Sequence, residues 1–281
     1  MLSHAQGGKA PVDEFVGSEA CKECHSEIYS NFANTPHWKT SFDARGGAAG
    51  KGCESCHGPG REHVQSGGDP AKIVSFRGAE RGKVVERCLA CHQYGLEHGN
   101  FLRSAHKSSA VICLDCHSAH HFTQPDFLLV KPQPDLCYGC HAEQQAEFSR
   151  PYHHRVDEKL IRCTDCHNQH GGPMGRQLRT SAAQNAVCLN CHTETAGPFV
   201  YEHAPLRAEG CTSCHVAHGS VNPRMLKVSE VNLLCLSCHT VTFGSMTRDA
   251  PGFHDQSAQF QACTLCHTSI HGSNFSRGFF R

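Results

Sequence analysis

Ten copies of Cys-x-x-Cys-His are spread along this 281-residue chain and use all twenty of its cysteines. They begin at Cys21, Cys53, Cys88, Cys113, Cys137, Cys163, Cys188, Cys211, Cys235 and Cys263, and their second cysteines are Cys24, Cys56, Cys91, Cys116, Cys140, Cys166, Cys191, Cys214, Cys238 and Cys266. Cysteine pairs at this spacing also serve zinc sites, iron–sulfur clusters, redox dithiols and disulfides. None of these needs a histidine directly after every second cysteine. The full motif is the attachment sequence of c-type haem, in which two sulfurs add to the vinyl groups of one porphyrin and the histidine binds the iron from one face. The expectation is ten covalently bound haem c groups, with proximal ligands His25, His57, His92, His117, His141, His167, His192, His215, His239 and His267.

That load leaves about 28 residues of chain for each haem. Only 38% of residues are apolar, aromatics make up 7%, and Trp38 is the single tryptophan. A chain this lean cannot bury a sizeable core of its own side chains, so the porphyrins must act as the core. Without haem the expected state is an unfolded chain, because cofactor binding and folding are then one process. The fold class expected is a multihaem cytochrome c, mostly coil with short helices and little or no β-structure. Helical segments carrying motifs are expected at Ser18–Asn34 and Asp135–Phe148, and loops at residues 46–50, at Gly67-Gly68 and around Pro132 and Pro134. The 26 basic and 26 acidic residues balance, which argues against a nucleic-acid surface. Roughly twenty haem propionates would make the holoprotein net acidic and would pair with many of the basic side chains.

The motifs fall into two kinds. A histidine follows the proximal one closely at His120, His170 and His218, one residue further on at His271, and further still at His63. The motifs at Cys88, Cys137, Cys188 and Cys235 lack it. Each decorated motif is also preceded by a histidine: His37, His106, His154, His203 and His254. The repeat is therefore about 50 residues long and carries two haems. Four full units, an opening plain motif at Cys21 and a closing half unit at Cys263 account for all ten motifs. Units that touch mainly their neighbours imply an elongated stack. The expected organisation is a leader or export-signal remnant at 1–17 and one decahaem domain at 18–281, with pseudo-halves at 18–148 and 149–281 carrying five haems each.

The repeat supplies ten candidate distal ligands: His37, His63, His106, His120, His154, His170, His203, His218, His254 and His271. His4, His98, His121 and His153 are left over, with His154 preferred to His153 because its spacing to the next cysteine fits the other units. Two imidazoles per iron give a low-spin, six-coordinate centre with no vacant position for a substrate, and they favour lower potentials than a methionine ligand. Met174, Met225 and Met246 fall outside the repeat and read as packing residues. Three residues span at most about 10 Å, a short path round the edge of a macrocycle to which the chain is already bonded. His120, His170 and His218 are therefore expected to reach a neighbouring haem rather than their own.

Cys53-Glu-Ser-Cys-His-Gly-Pro-Gly-Arg-Glu-His63, Cys163-Thr-Asp-Cys-His-Asn-Gln-His170, Glu202-His-Ala-Pro205, Cys211-Thr-Ser-Cys-His-Val-Ala-His-Gly-Ser220 with Met225-Leu226, and Cys266-His-Thr-Ser-Ile-His-Gly-Ser-Asn274 carry a resemblance. From about Gly17 onward the chain resembles the decahaem cytochromes of the MtrA/MtoA/PioA/DmsE type. It departs from them in a short leader before Cys21 and in the stretch from Thr240 to Ala262, which contains His254. The resemblance implies electron conduction across the bacterial outer membrane, inside or against a β-barrel partner. Such a conduit links periplasmic or inner-membrane cytochromes to extracellular iron or to an extracellular multihaem cytochrome.

Haem c is attached outside the cytoplasm, so a periplasmic or outer-membrane location is expected, after export through a signal peptide absent or trimmed here. The chain reads as an electron-transfer protein rather than an enzyme, with any reduction of metals occurring outer-sphere at exposed haems. A soluble periplasmic carrier is the alternative, since the same ligands would serve it. A multihaem reductase is a further one, but it would need an iron without a second ligand.

Overall fold

The computed structural model describes residues 12–43, 47, 51–95, 98–124, 127–180, 185–239 and 261–280. The chain divides into two compact units, Met1–Leu136 and Cys137–Arg281. Most of it is coil and turn, punctuated by short helices and two-residue strands, as expected for a chain organised around covalent cofactors.

Both expected helical segments form, and each is interrupted at the proximal histidine. The first comprises Ser18–Lys22 and Ser26–Ala33, with His25 between them at φ −118° and ψ 45°. The second comprises Asp135–Tyr138 and Ala142–Phe148, with His141 between them at φ −104° and ψ 56°. His192 adopts the same conformation, φ −91° and ψ 57°. A residue in these dihedrals leaves the helical path, which turns its imidazole away from the helix carrying the cysteines. The other plain motifs end longer helices, Arg81–His92 and Val231–His239.

The strands repeat the 50-residue period in space. β1 (Tyr152–His153) pairs antiparallel with β3 (Gly219–Ser220), in the register Tyr152↔Ser220 and His153↔Gly219. β2 (Tyr201–Glu202) pairs with β4 (Gly272–Ser273), in the register Tyr201↔Ser273 and Glu202↔Gly272. Each ladder therefore ties a Tyr-x-His segment to a His-Gly-Ser segment further along the chain. The glycine is required in both. A Cβ at Gly219 would overlap the carbonyl oxygen of Glu147, and one at Gly272, where φ is 151°, would overlap the ring of Phe199.

Side-chain cores are small. In the first unit Val84, Val85, Phe101 and Ile112 are buried together against Phe76, Ala79 and Leu89. In the second, Phe148, Val156 and Val187 are buried. Leu265, inside the last motif, is 79% exposed. Porphyrins attached at the motifs are what can cover such surfaces.

Candidate haem centres

The loop after each decorated motif folds back on its own proximal histidine. His117, His167 and His215 form isolated bridges with Leu129, Leu178 and Leu226. In the same turn Nδ1–H of His117 donates to the carbonyl of Phe127 (2.6 Å), that of His167 to Arg176 (2.8 Å) and that of His215 to Arg224 (2.8 Å). His57 donates likewise to Val74 (2.7 Å) and His267 to Gly278 (2.5 Å). Arg176 and Arg224 present these carbonyls from left-handed backbone, φ 59° and 56°, a conformation that costs a non-glycine residue about 1–2 kcal/mol. A carbonyl can only accept, so each of these rings carries its proton on Nδ1 and leaves Nε2 for a metal.

The repeat-derived histidines are oriented by the same device. Nδ1–H of His63 donates to Asp69 (2.9 Å) and that of His154 to Ala217 (2.6 Å), while His203 is hydrogen-bonded to the backbone of Ile270. His218 differs, because its Nδ1–H donates to the carboxylate of Glu147 (2.8 Å).

Tertiary structure brings these two sets of rings together. Centroid separations are 6.4 Å for His25 and His63, 5.9 Å for His37 and His92, and 5.9 Å for His57 and His120. In the second unit they are 6.1 Å for His154 and His192, 6.1 Å for His167 and His218, 6.2 Å for His203 and His239, and 6.3 Å for His215 and His271. Two metal–imidazole bonds of about 2.0–2.1 Å, plus the two half-rings, place the centroids about 6 Å apart. The spacing thus fits one iron between each pair.

Every close histidine with a ring partner described stands opposite a different motif from its own. His63 faces His25, His120 faces His57, His218 faces His167, and His271 faces His215. The preceding histidines His37, His154 and His203 each face the next plain motif after the decorated one. His153 is engaged elsewhere, its Nδ1 bonded to the Arg150 carbonyl (2.5 Å) and its Nε2 to Glu158 (3.2 Å). His98 lies beside His92 at 5.2 Å and His121 beside His120 at 6.3 Å. His106 sits in the helix Ala105–Ser108, and His170 follows the turn at Asn168. His4 and His254 lie outside the described residues.

The cysteines show how successive motifs meet. Cys21 is hydrogen-bonded to Cys53, Cys88 to Cys113, Cys137 to Cys163 and Cys188 to Cys211, and Cys235 approaches Cys263. Second cysteines form the alternate links: Cys56 lies near Cys91, and Cys166 near Cys191. Within each unit, consecutive attachment points are thus neighbours in space. Burial also lowers the pKa of His37, His120, His167, His203 and His271, which keeps these imidazoles in the neutral form that binds metal.

Comparison with known proteins gives the family. The family described as "Doubled CXXCH motif" matches residues 105–146, 153–197 and 203–243. The multiheme cytochrome MtrA of Shewanella baltica (strain OS185) is 31% identical over 98% of this chain and 82% of its own length. The chain belongs to the MtrA family. It is a multihaem c-type cytochrome, carrying haem c covalently at its Cys-x-x-Cys-His motifs and serving electron transfer. A more distant similarity, 22% identity over 77% of this chain but only 30% of the other protein, is to the dissimilatory sulfite reductase MccA of Wolinella succinogenes. No helix among the described residues is long and apolar enough to cross a membrane.

Sequence reasoning had passed over the groups that orient the rings in this MtrA-family chain: the carbonyls of Val74, Phe127, Arg176, Arg224 and Gly278, and the side chain of Glu147. A carbonyl has no side-chain signature. The available signal was a leucine eleven residues after the proximal histidine, Leu178 after His167 and Leu226 after His215.

Proposed function

We propose that this chain is an outer-membrane electron conduit. In this reading ten haem c groups, each held between two histidines, exchange electrons between periplasmic carriers and extracellular donors or acceptors, in ferrous iron oxidation or ferric mineral reduction. The protein would sit in or against an outer-membrane β-barrel, supplied by periplasmic or inner-membrane cytochromes and, in the reducing arrangement, meeting an extracellular multihaem cytochrome.

The observation that carries the reading is the set of paired rings about 6 Å apart, from His25 with His63 to His215 with His271. We assign each of these pairs to one iron. The three remaining irons, at His117, His141 and His267, would draw their second ligands from the three remaining candidates, His106, His170 and His254, in whichever pairing the fold brings together. Haem iron supplies one-electron chemistry between its ferric and ferrous states. The chain's own residues do the rest. The paired imidazoles would hold the iron from both sides, which would leave a substrate no open site and need little rearrangement on electron transfer. Backbone carbonyls on Nδ1 keep each ring in place. The neighbouring cysteines would bring consecutive porphyrins close, which supports stepwise passage between successive motifs. Membership of the MtrA family and the attachment of haem c outside the cytoplasm support the envelope location.

Gentle detergent extraction of the outer membrane, followed by identification of copurifying proteins, tests the conduit. A β-barrel should come with the cytochrome. Recovery in the soluble periplasm alone would favour a diffusible carrier. The similarity to MccA favours a second reading, a reductase. A high-spin ferric signal in the oxidised protein, from an iron lacking its second imidazole, would support that reading against ours.

A further inference from the structure

We propose that Glu147 is a redox-tuning residue whose carboxylate, by accepting the Nδ1 hydrogen of His218, lowers the potential of the haem held between His167 and His218. The inference rests on the assignment of those two rings to one iron.

The geometry sets this ligand apart. His57, His63, His117, His154, His167, His215 and His267 all direct Nδ1 at a backbone carbonyl, a neutral dipole. His218 directs it at a full negative charge 2.8 Å away. His192 also faces a carboxylate, that of Glu194, but at 3.4 Å and with both side chains more than half exposed. The Glu147–His218 pair is half-buried, with side-chain exposures of 27% and 30%.

The carboxylate is held on several sides. Glu147 belongs to the last turn of the helix Ala142–Phe148, and the next residue, buried Phe148, packs its ring 5.1 Å from that of His218. Arg150 donates to the Gly219 carbonyl at 2.9 Å, immediately after His218, and lies 3.8 Å from the second oxygen of Glu147. That ion pair offsets part of the carboxylate's charge, while the oxygen facing His218 keeps its bond to the ring.

A carboxylate acceptor draws the Nδ1 proton and gives the imidazole imidazolate character. The ligand then donates more strongly and stabilises the ferric state over the ferrous one. On the opposite face His167 is bonded only to the Arg176 carbonyl, so the asymmetry comes from Glu147. The attachment cysteines of this haem lie near those of two others, Cys163 beside Cys137 and Cys166 near Cys191. A low-potential centre here is a step within the path rather than at its end, and electrons would reside on its neighbours.

The test compares the native holoprotein with E147Q, which keeps an acceptor oxygen and the side-chain shape while removing the charge. Potentiometric titration followed by optical spectroscopy should show one component moved to higher potential. The expected size is about tenfold in its equilibrium constant, about 59 mV for one electron, with the other components superimposing and every iron remaining low-spin. H218A separates the two layers of the argument and should convert one iron to high spin. If H218A does so while the E147Q titration overlays the native one, tuning by Glu147 is wrong and the ligand assignment stands. If H218A leaves every iron low-spin, the assignment fails and takes the inference with it. If E147Q itself turns one iron high-spin, Glu147 positions the ligand rather than tuning it, and the proposal is overturned.

Discussion

His120 belongs by sequence to the motif of His117, three residues before it, yet its ring lies 5.9 Å from that of His57 and only 14° from parallel. Its Coulombic neighbours are His57, His121 and His25, with His117 not among them. A double-mutant cycle turns this into a measurement, because substitutions acting on one iron are not additive whereas those acting on two irons are. H57A and H120A each remove one axial ligand, so each should convert about one tenth of the low-spin haem signal, given ten motifs. The double variant H57A/H120A should still convert about one tenth, because both ligands belong to one iron. H117A/H120A should convert about two tenths. The low-spin fraction can be read from electron paramagnetic resonance or magnetic circular dichroism of the oxidised holoprotein. The reverse pattern, two tenths for H57A/H120A and one tenth for H117A/H120A, would refute ligation across motifs and return His120 to its own haem.

Two other outcomes are expected. The buried carboxylate of Glu54 accepts backbone N–H bonds from Val16 (3.0 Å), Gly17 (2.8 Å) and Gly60 (2.8 Å), tying the segment before the first motif to the second. E54Q places an amide N–H against one of these donors, which should cost about 1–3 kcal/mol and speed both proteolysis and amide exchange around residues 16–18; unchanged rates would show that the tie is not holding the segment. Acid should loosen the protein early. In the folded chain His37, His120, His167, His203 and His271 are kept from protonation by burial and, in the proposed ligation, by iron, so below about 6.5 the unfolded chain binds more protons than the folded one. Stability is fully present above about pH 6.5 and declines as pH falls through the window beneath it. A denaturant midpoint that stays level or rises between about pH 7 and pH 5 would contradict this.

Much of the architecture is written locally. Cys-x-x-Cys-His is a covalent instruction completed within five residues, so the cofactor and its attachment points are legible without a fold. The low apolar content likewise implies a chain mostly of coil, and two short ladders repeating one register are all the sheet found among the described residues. Helix extent was less legible. Residues 18–34 carry helix-compatible residues throughout, yet the helix breaks at His25, which stands at φ −118° and ψ 45° between Ser18–Lys22 and Ser26–Ala33.

The set of candidate histidines could be read from spacing, but which ring stands opposite which could not. His218 meets His167 from 51 residues away, and His154 meets His192 across 38, so adjacency along the chain is a poor guide to partnership. The choice between His153 and His154 shows why. Spacing favoured His154, but the physical reason lies in the pairing of Tyr152 and His153 with Gly219 and Ser220, which turns one ring toward Glu158 and the other toward His192. The Nδ1 acceptors were further out of reach, since backbone carbonyls look alike in sequence and Glu147 is 71 residues from the histidine it holds. What the sequence determined by itself is the chemistry of attachment, because a covalent bond needs only neighbouring residues. Only the tertiary structure decided how the rings pair and what charge stands behind each of them, because an axial ligand and its hydrogen-bond partner need only meet in space.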